Sequence, residues 1–397
     1  MKTIAVAFRY LWSRPLAALL NLLLLTLGLA SITFVLLASE QVTRAFQRDL
    51  AGIDLVVGAK GSPMQLILSG VFQLDSPPGN ILYTDVQALQ RMPQVERLIP
   101  LAMGDSLRGW RIVGTSQEYL AHYKLSVGQG QTWSRSLEAV LGAQVSSSTG
   151  LKPGDSFSGN HGLGPSGPEH AQAPYRVTGV LAPCGCVADR LVLTSLQSVW
   201  QVHDRPGTAE EPGHKEEKQV SMALISYKSP LSAVSFPRMV NTTTNMQAAA
   251  PAVEVSRLMG MLGVGTDVMK GLAGVLLVTA ALSVFLALGN AVRERRADLA
   301  MLRMLGATPM RVAALLVCEA LLLALMASVL GLAAGHLVTG VVGLLLAARQ
   351  SLPMTGMIWL PQELWIVGAA LGVAFVAALI PALSAYRMDV AQLLNSR

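Results

Sequence analysis

The sequence predicts a membrane α-helical protein. Four transmembrane helices, one before and three after, flank a mixed α/β extracytoplasmic domain on helical stalks. Three observations predict it. Leu16 to Ala38 runs without a charged residue. Residues 271–385 are strongly apolar outside one arginine-rich loop. Between them, residues 40–270 carry Lys, Arg, Asp, Glu, Pro and Gly throughout, as a soluble domain does, and suffice for one or two small domains. The imbalance shows in the bulk figures: 14% of the 397 residues are charged, against about 25% in soluble domains, and the mean hydropathy is +0.48.

Residues 1–15 carry Lys2, Arg9 and Arg14 and no acid. Ile4, Ala7, Phe8 and Leu11 fall at i, i+3, i+4 and i+7, one face of a helix. The reading is a cytoplasmic amphipathic helix lying in the interface, punctuated by Pro15. The first span follows over 16–38. At 1.5 Å per residue, about 20 residues cross a hydrocarbon core of about 30 Å. A signal peptide would have an apolar region of only about 7–15 residues and a small-residue cleavage site, so the stretch is read as an uncleaved anchor. The positive charges before it place the N-terminus in the cytoplasm.

Residues 39–270 form the outer domain with its stalks. EQVTRAFQRDL (40–50) extends the first helix. Short apolar runs then alternate with turn signals, as in IDLVVGAKGSP (53–63), SPPGN (76–80) and GLKPGDSF (150–157), which suggests short strands in a mixed α/β domain. Residues 158–174 and 204–219 read as loops. Residues 245–268 read as a second, amphipathic stalk helix with Val253, Leu258, Met261 and Leu262 apolar.

The second span covers 271–292. A cytoplasmic loop, 293–311, holds five arginines (Arg293, Arg295, Arg296, Arg303, Arg311) against Glu294 and Asp298. The third span, 312–348, has an extension read as bent or re-entrant. An outer loop (349–362), a fourth span (363–385) and a cytoplasmic tail (386–397) complete the chain. Both termini and the arginine-rich loop then lie inside, one topology from three charge clusters.

Several chemistries have no support. No G-x-x-x-x-G-K-[ST], G-x-S-x-G or H-E-x-x-H motif occurs, so neither an enzyme nor an intrinsic ATPase is expected, and no cofactor. The net charge of +6 has no basic stripe interleaved with aromatics, which are 5% of the chain, so no nucleic-acid partner is expected. Glu319 and His336 are the ionisable residues within spans and are read as helix-end or paired groups, not a proton relay. Cys318 reads as an inert packing residue. Cys184 and Cys186 form a C-x-C in the outer domain, along with His161, His170, His203 and His214. Thiolate and imidazole suit zinc or copper. C-x-C is not a usual zinc spacing and the histidines fall in loops, so no metal is expected; Cys184, Cys186 and His203 are the candidates if one is held. A bridge between the two cysteines would be strained at this spacing.

VRERRADLAMLRMLGATP (292–309) resembles a signature of the MacB/FtsX-type ABC transporter permeases, roughly E-R-R-x-E-I-x-x-L-R-A-L-G-A. Glu294, Arg295, Arg296, Leu302, Arg303, Leu305, Gly306 and Ala307 match it. LLVCEALLLALMASVLGLAAG (315–335) resembles the next span. IPALSAYRMDVAQLL (380–394) resembles the closing motif, with Val390 where Pro is common. EAVLGAQV (138–145), GLKPGD (150–155), YRVTGVL (175–181) and Asp189-Arg190 resemble the family's outer domain, in matching order.

The resemblance implies a mechanotransmission (type VII) permease subunit in a bacterial inner membrane. It pairs with a second permease subunit, itself or a paralogue, and each binds a cytoplasmic ABC ATPase subunit. ATP hydrolysis in that partner rocks the helices and moves the periplasmic domain, for export or extraction of a lipoprotein, peptide or other envelope substrate, with a periplasmic adaptor or lipoprotein as a further partner. Arg293 to Ala307, with Leu299, Leu302 and Leu305 on the buried face of a short helix, is the expected coupling element. Gly306 offers a backbone conformation that other residues resist, and Pro309 suits a helix start. Small residues at Gly28, Ala30, Ser31, Gly331, Ala334 and Gly335 suggest close helix approach, read for Gly28 as subunit pairing. The alternatives are a non-transporting regulator of a periplasmic hydrolase and a component of a zinc transport or handling system.

Overall fold

A computed structural model describes residues 7–9, 15–162, 170, 172–203, 217–294, 301, 303–304, 306–348 and 354–387. The chain divides into two compact units, residues 43–261 and residues 1–42 with 262–397. Most of the expected N-terminal amphipathic helix lies outside the described residues; Ala7, Phe8 and Arg9 are helical. The first long helix, α1, runs from Pro15 to Leu50.

The outer unit is built on a mixed sheet. Its strands are β1 (Leu55–Ala59), β3 (Val95–Leu107), β4 (Trp110–Thr115), β5 (Val127–Gly130), β6 (Glu138–Leu141), β7 (Ser156–Phe157), β8 (Asn160–His161), β9 (Tyr175–Leu181), β10 (Leu191–Ser195), β12 (Met222–Tyr227) and β13 (Met246–Ala249). The order is β13-β1-β12-β3-β4-β10-β6-β9-β5, with β7 beside β9 and β8 beside β3. β2 (Ile81–Leu82) and β11 (Gln219–Val220) form a separate pair. β10 runs parallel to β4 and β6 parallel to β9; the other pairings are antiparallel. Central strands such as β4 (WRIVGT) and β10 (LVLTS) are buried at every position, which is why they read as continuous runs rather than alternations.

Helices supply the covering layers. They are α2 (Pro63–Gly70), α3 (Tyr83–Gln90), α4 (Gln117–His122), α5 (Ala143–Thr149), α6 (Leu196–His203) and α7 (Ser232–Thr243). One core joins Val86 and Leu89 of α3, Leu196 and Val199 of α6, and Phe236 and Val240 of α7 to β1, β3 and β12. A second gathers Trp110, Ile112, Leu141, Val145, Tyr175 and Val192. β3 serves both halves: its first part pairs with β12, its last part with β4 and β8.

Two expectations change. Met246–Ala249, read as the start of a stalk helix, is β13, paired to β1 from Val56↔Ala249 to Ala59↔Met246. The free edge of β1 offers ladder hydrogen bonds, and Met246 and Ala248 bury against the core, so pairing overrides local helical character. Helix α8 starts after it, Pro251–Glu294, with proline in its first position. Within 158–174, read as a loop, β8 pairs with β3, while 163–169 and 171 lie outside the described residues.

The second unit contains the apolar helices, joined by α9 (Pro309–Ala348) and α10 (Glu363–Tyr386). Among the described residues, four helices are long and apolar enough to cross a membrane. The extension expected as bent or re-entrant continues the helix: α9 is one helix of 40 residues. Nothing in 312–348 is proline or charged apart from Glu319, so nothing interrupts its hydrogen-bond ladder. Ala370, Ala374, Ala378 and Ala382 of α10 lie in one row at i+4 spacing and share a core with Ala320, Ala324 and Ala327 of α9. A Cβ at Gly331 would sit 2.6 Å from Leu29 Cβ, and one at Gly335 2.6 Å from Thr33 Cβ, so these glycines let α9 approach α1 closely. A Cβ at Gly28, the residue expected at a subunit interface, would meet Leu276 and Leu277 of its own chain at 3.5–3.7 Å, ordinary contact distance.

Candidate functional site

The expected coupling element lies largely outside the described residues: Arg295, Arg296, Leu299, Leu302 and Leu305 all do. Arg293 and Glu294 end α8, and Met301, Arg303 and Met304 have helical backbone. The chain then turns. The Gly306 N–H donates to the Arg303 carbonyl at 3.0 Å, with Gly306 at φ +93°, a left-handed conformation that side chains resist. Ala307 and Thr308 follow, and α9 begins at Pro309, with the Arg311 N–H donating to the Thr308 carbonyl at 2.9 Å. Gly306 to Pro309 thus form a turn between two helical segments, with Met304 and Met310 exposed beside it.

In the helical unit His336 of α9 is paired. His336 Nε2 lies 3.0 Å from Glu363 Oε2, and its Nδ1 lies 2.7 Å from the Gly356 carbonyl. The carbonyl can only accept, so Nδ1 carries the proton. Glu363 Oε1 also accepts from the Leu360 N–H at 3.0 Å. The pair fastens the segment before α10 to α9. Glu319 is buried.

In the outer unit, Asp189 and Arg190 sit in a polar knot at the end of α1. The Asp189 carboxylate accepts from the N–H groups of Cys184 and Gly185, at 3.0 and 2.7 Å. Asp49, in the last turn of α1, accepts from the Val187 N–H at 3.1 Å, and its carbonyl accepts from Tyr123 Oη at 3.0 Å. Burial pushes the Asp49 carboxyl up to about 6, against the opposing pull of that N–H and of Arg190 and Arg48. Burial likewise lowers Arg190, which Asp49 and Asp189 counter. Asp49 was not singled out from sequence. Its one signal is an acid closing a helix that must meet the Asp189-Arg190 motif.

The cysteine reading is corrected. Cys184 and Cys186 form a disulfide with each other, with Cα atoms 5.1 Å apart, so neither offers a thiolate to a metal. Gly185 between them has a φ of +64°, a left-handed conformation that side chains resist. His203 has a different set of neighbours. It lies at the end of α6 beside His161, His170 and Asp105, whose ligand atoms all fall within 4.8 Å of one another. His214 lies outside the described residues. Asp105 was missed; its signal is an acid following the apolar run Leu98–Met103 of β3.

A family model for the MacB-like periplasmic core domain matches residues 18–235, and one for the FtsX-like permease C-terminal domain matches residues 271–390. Among solved structures, the periplasmic region of MacB from Actinobacillus actinomycetemcomitans is similar at 10% identity, covering 53% of this chain and 95% of that one, with a TM-score of 0.35. The extracellular domain of the noncanonic ABC-type transporter YknZ from Gram-positive bacteria is similar at 14% identity, covering 49% and 98%, with a TM-score of 0.32. No curated protein matches significantly. The first family model alone spans more than half of the chain and the second takes in the apolar helices after it, so the chain belongs to the MacB/FtsX-type ABC transporter permeases, membrane components whose ATPase lies in a partner.

Proposed function

We propose that this chain couples ATP hydrolysis by a separate cytoplasmic ATPase to motion of its outer domain, and so exports or extracts a lipoprotein, peptide or other envelope substrate. It works beside a second permease subunit in a bacterial inner membrane. In this reading the spans are arranged one before and three after the periplasmic domain, with both termini and residues 293–311 in the cytoplasm. The observation that carries the proposal is the arginine-rich segment ending in the Gly306 corner, set between two long apolar helices within the permease match. Basic residues collect on the cytoplasmic side of spans. A short helix there, with Leu299, Leu302 and Leu305 on one face, can seat in a groove on an ATPase and pass a push into α8 and α9.

The test is recovery of a partner. The tagged chain, isolated in mild detergent, should bring down a protein with a Walker motif. Leu302→Asp with Arg303→Glu should remove that protein while leaving the amount of permease unchanged. Unaltered recovery from the double variant would refute the assigned coupling residues. Labelling of thiols engineered near residue 300 by an impermeant reagent in intact cells would refute the topology.

One observation favours the metal-linked alternative over the hydrolase regulator: three histidines converge on a buried aspartate in the outer domain.

A further inference from the structure

We propose that the outer domain holds a zinc(II) ion between Asp105, His161, His170 and His203. The proposal does not depend on ATPase coupling and goes beyond it.

The four residues come from separate elements brought together by the sheet. Asp105 lies where the β3–β4 register shifts between Met103 and Ser106, an irregularity of the kind that re-aims a side chain. His161 of β8 is its cross-strand partner. The His170 N–H donates to the Gly159 carbonyl at 2.9 Å, which fixes that residue beside β8. His203 ends α6, a helix whose Leu196 and Val199 are set in the core.

The spacing is that of ligands around a shared centre. His161 Nδ1, His170 Nε2 and His203 Nε2 lie 3.4, 3.4 and 3.5 Å from Asp105 Oδ1. Good N–H···O hydrogen bonds are shorter, and among the described residues neither Asp105 oxygen nor His170 Nε2 has a hydrogen-bond partner. Yet the Asp105 side chain is only 3% exposed. A buried carboxylate left in that state is costly. A tetrahedral zinc site with bonds of about 2.0–2.1 Å puts neighbouring ligand atoms about 3.3–3.4 Å apart. The three Asp105–histidine separations match that edge and are longer than good hydrogen bonds, and all four ligand atoms lie within 4.8 Å of one another.

The tautomer of His203 points the same way. Its Nδ1 lies 2.8 Å from the Val199 carbonyl, which can only accept, so Nδ1 bears the proton. In the neutral ring Nε2 then presents its lone pair to the Asp105 carboxylate. Two electron-rich atoms face each other and call for a cation between them. An imidazole held through its far nitrogen by a backbone carbonyl is also the usual support for a metal ligand.

The donor set selects the ion. Calcium and magnesium prefer all-oxygen sets. Three imidazoles and one carboxylate suit zinc, and four ligands from the protein close a tetrahedral shell. The His161 side chain is 56% exposed and that of His203 36%, so an ion can enter from solvent. The bridged cysteines take no part.

The experiment uses the full-length permease in detergent, stripped with a chelator and titrated with zinc chloride against a chromophoric competitor. One zinc per chain is expected, with His161→Ala and His203→Ala each weakening binding by at least ~100-fold, beyond the typical loss of an outer-shell partner. Cys184→Ser with Cys186→Ser should bind like the wild type. Cobalt(II) loading should give tetrahedral absorption bands that both histidine variants lose. Zinc should raise the melting temperature of the wild type but not of His161→Ala, a surface change that leaves the core untouched. Substoichiometric zinc, or equal binding by wild type and the His161→Ala/His203→Ala double variant, would overturn the site. Either result would leave partner recovery, and so the permease reading, unaffected.

Discussion

The two units pack by opposite means. In the outer domain, apolar strands and helix faces leave water, a gain of about 25 cal/mol per Å². Its tightest approaches are backbone against backbone: a Cβ on Gly142 would strike the carbonyls of Ala188 and Asp189. Among the apolar helices, lipid is as oily as the interior, so burial gains little and close contact decides. There the close approaches of helix α9 to α1 are Gly331 on Leu29 and Gly335 on Thr33, while Gly343 and Gly356 meet the backbone carbonyls of Met354 and His336. Two packed helices can separate slightly along their length, whereas the Gly142 contact is fixed by the sheet and turn on either side of it, so the same kind of substitution should have unequal effects.

Gly142→Val should show the largest effect. With no yielding neighbour, the outer domain should lose about 4 kcal/mol or more, read as loss of slow hydrogen exchange in β6 and β10 of the full-length protein. Asp49 comes next. Its carboxyl holds a proton more firmly in the folded domain than in the unfolded chain, so folding is favoured below about pH 4 and that advantage disappears as pH rises through about 6. The shift corresponds to roughly 3 kcal/mol. Asp49→Asn should flatten this dependence, and exchange measured at pH 4.5 and pH 7 in both proteins checks it.

Gly335→Leu tests the other unit. Overpacking against Thr33 should cost about 2 kcal/mol, seen as faster proteolysis within the helices while the outer-domain fragment stays resistant. An equal loss in both units would break the contrast. The smallest effect is Ser198→Ala. Ser198 Oγ accepts from the Leu137 N–H at 2.9 Å and lies 2.8 Å from Thr194 Oγ1. Removing it should cost about 1 kcal/mol, measurable by denaturant unfolding.

The same contrast governs what was legible in the sequence. Long apolar helices announce themselves locally, because Leu16 to Ala38 has to be free of charge to lie in lipid. The Gly306 corner was visible too, since one residue type answers one backbone need. The outer domain hid more. Met246–Ala249 carries no strand signal of its own and becomes one by lying beside β1. The Cys184–Cys186 bridge depends on the conformation of Gly185, which spacing does not reveal. His161, His170 and His203 were noted, but grouped with cysteines near in sequence. Asp105, the group they share, comes from a distant strand and has no motif to mark it. Convergence of this kind is a property of sheet order, and no window along the chain contains it.

β3 runs through both halves of the outer domain, hydrogen-bonded to β12 in its first part and to β4 and β8 in its last. A strand resists stretching along its length, and its peptide groups here anchor two hydrophobic cores at once. The two lobes are therefore splinted together: drawing one away from the other would require breaking the ladder of a single continuous strand.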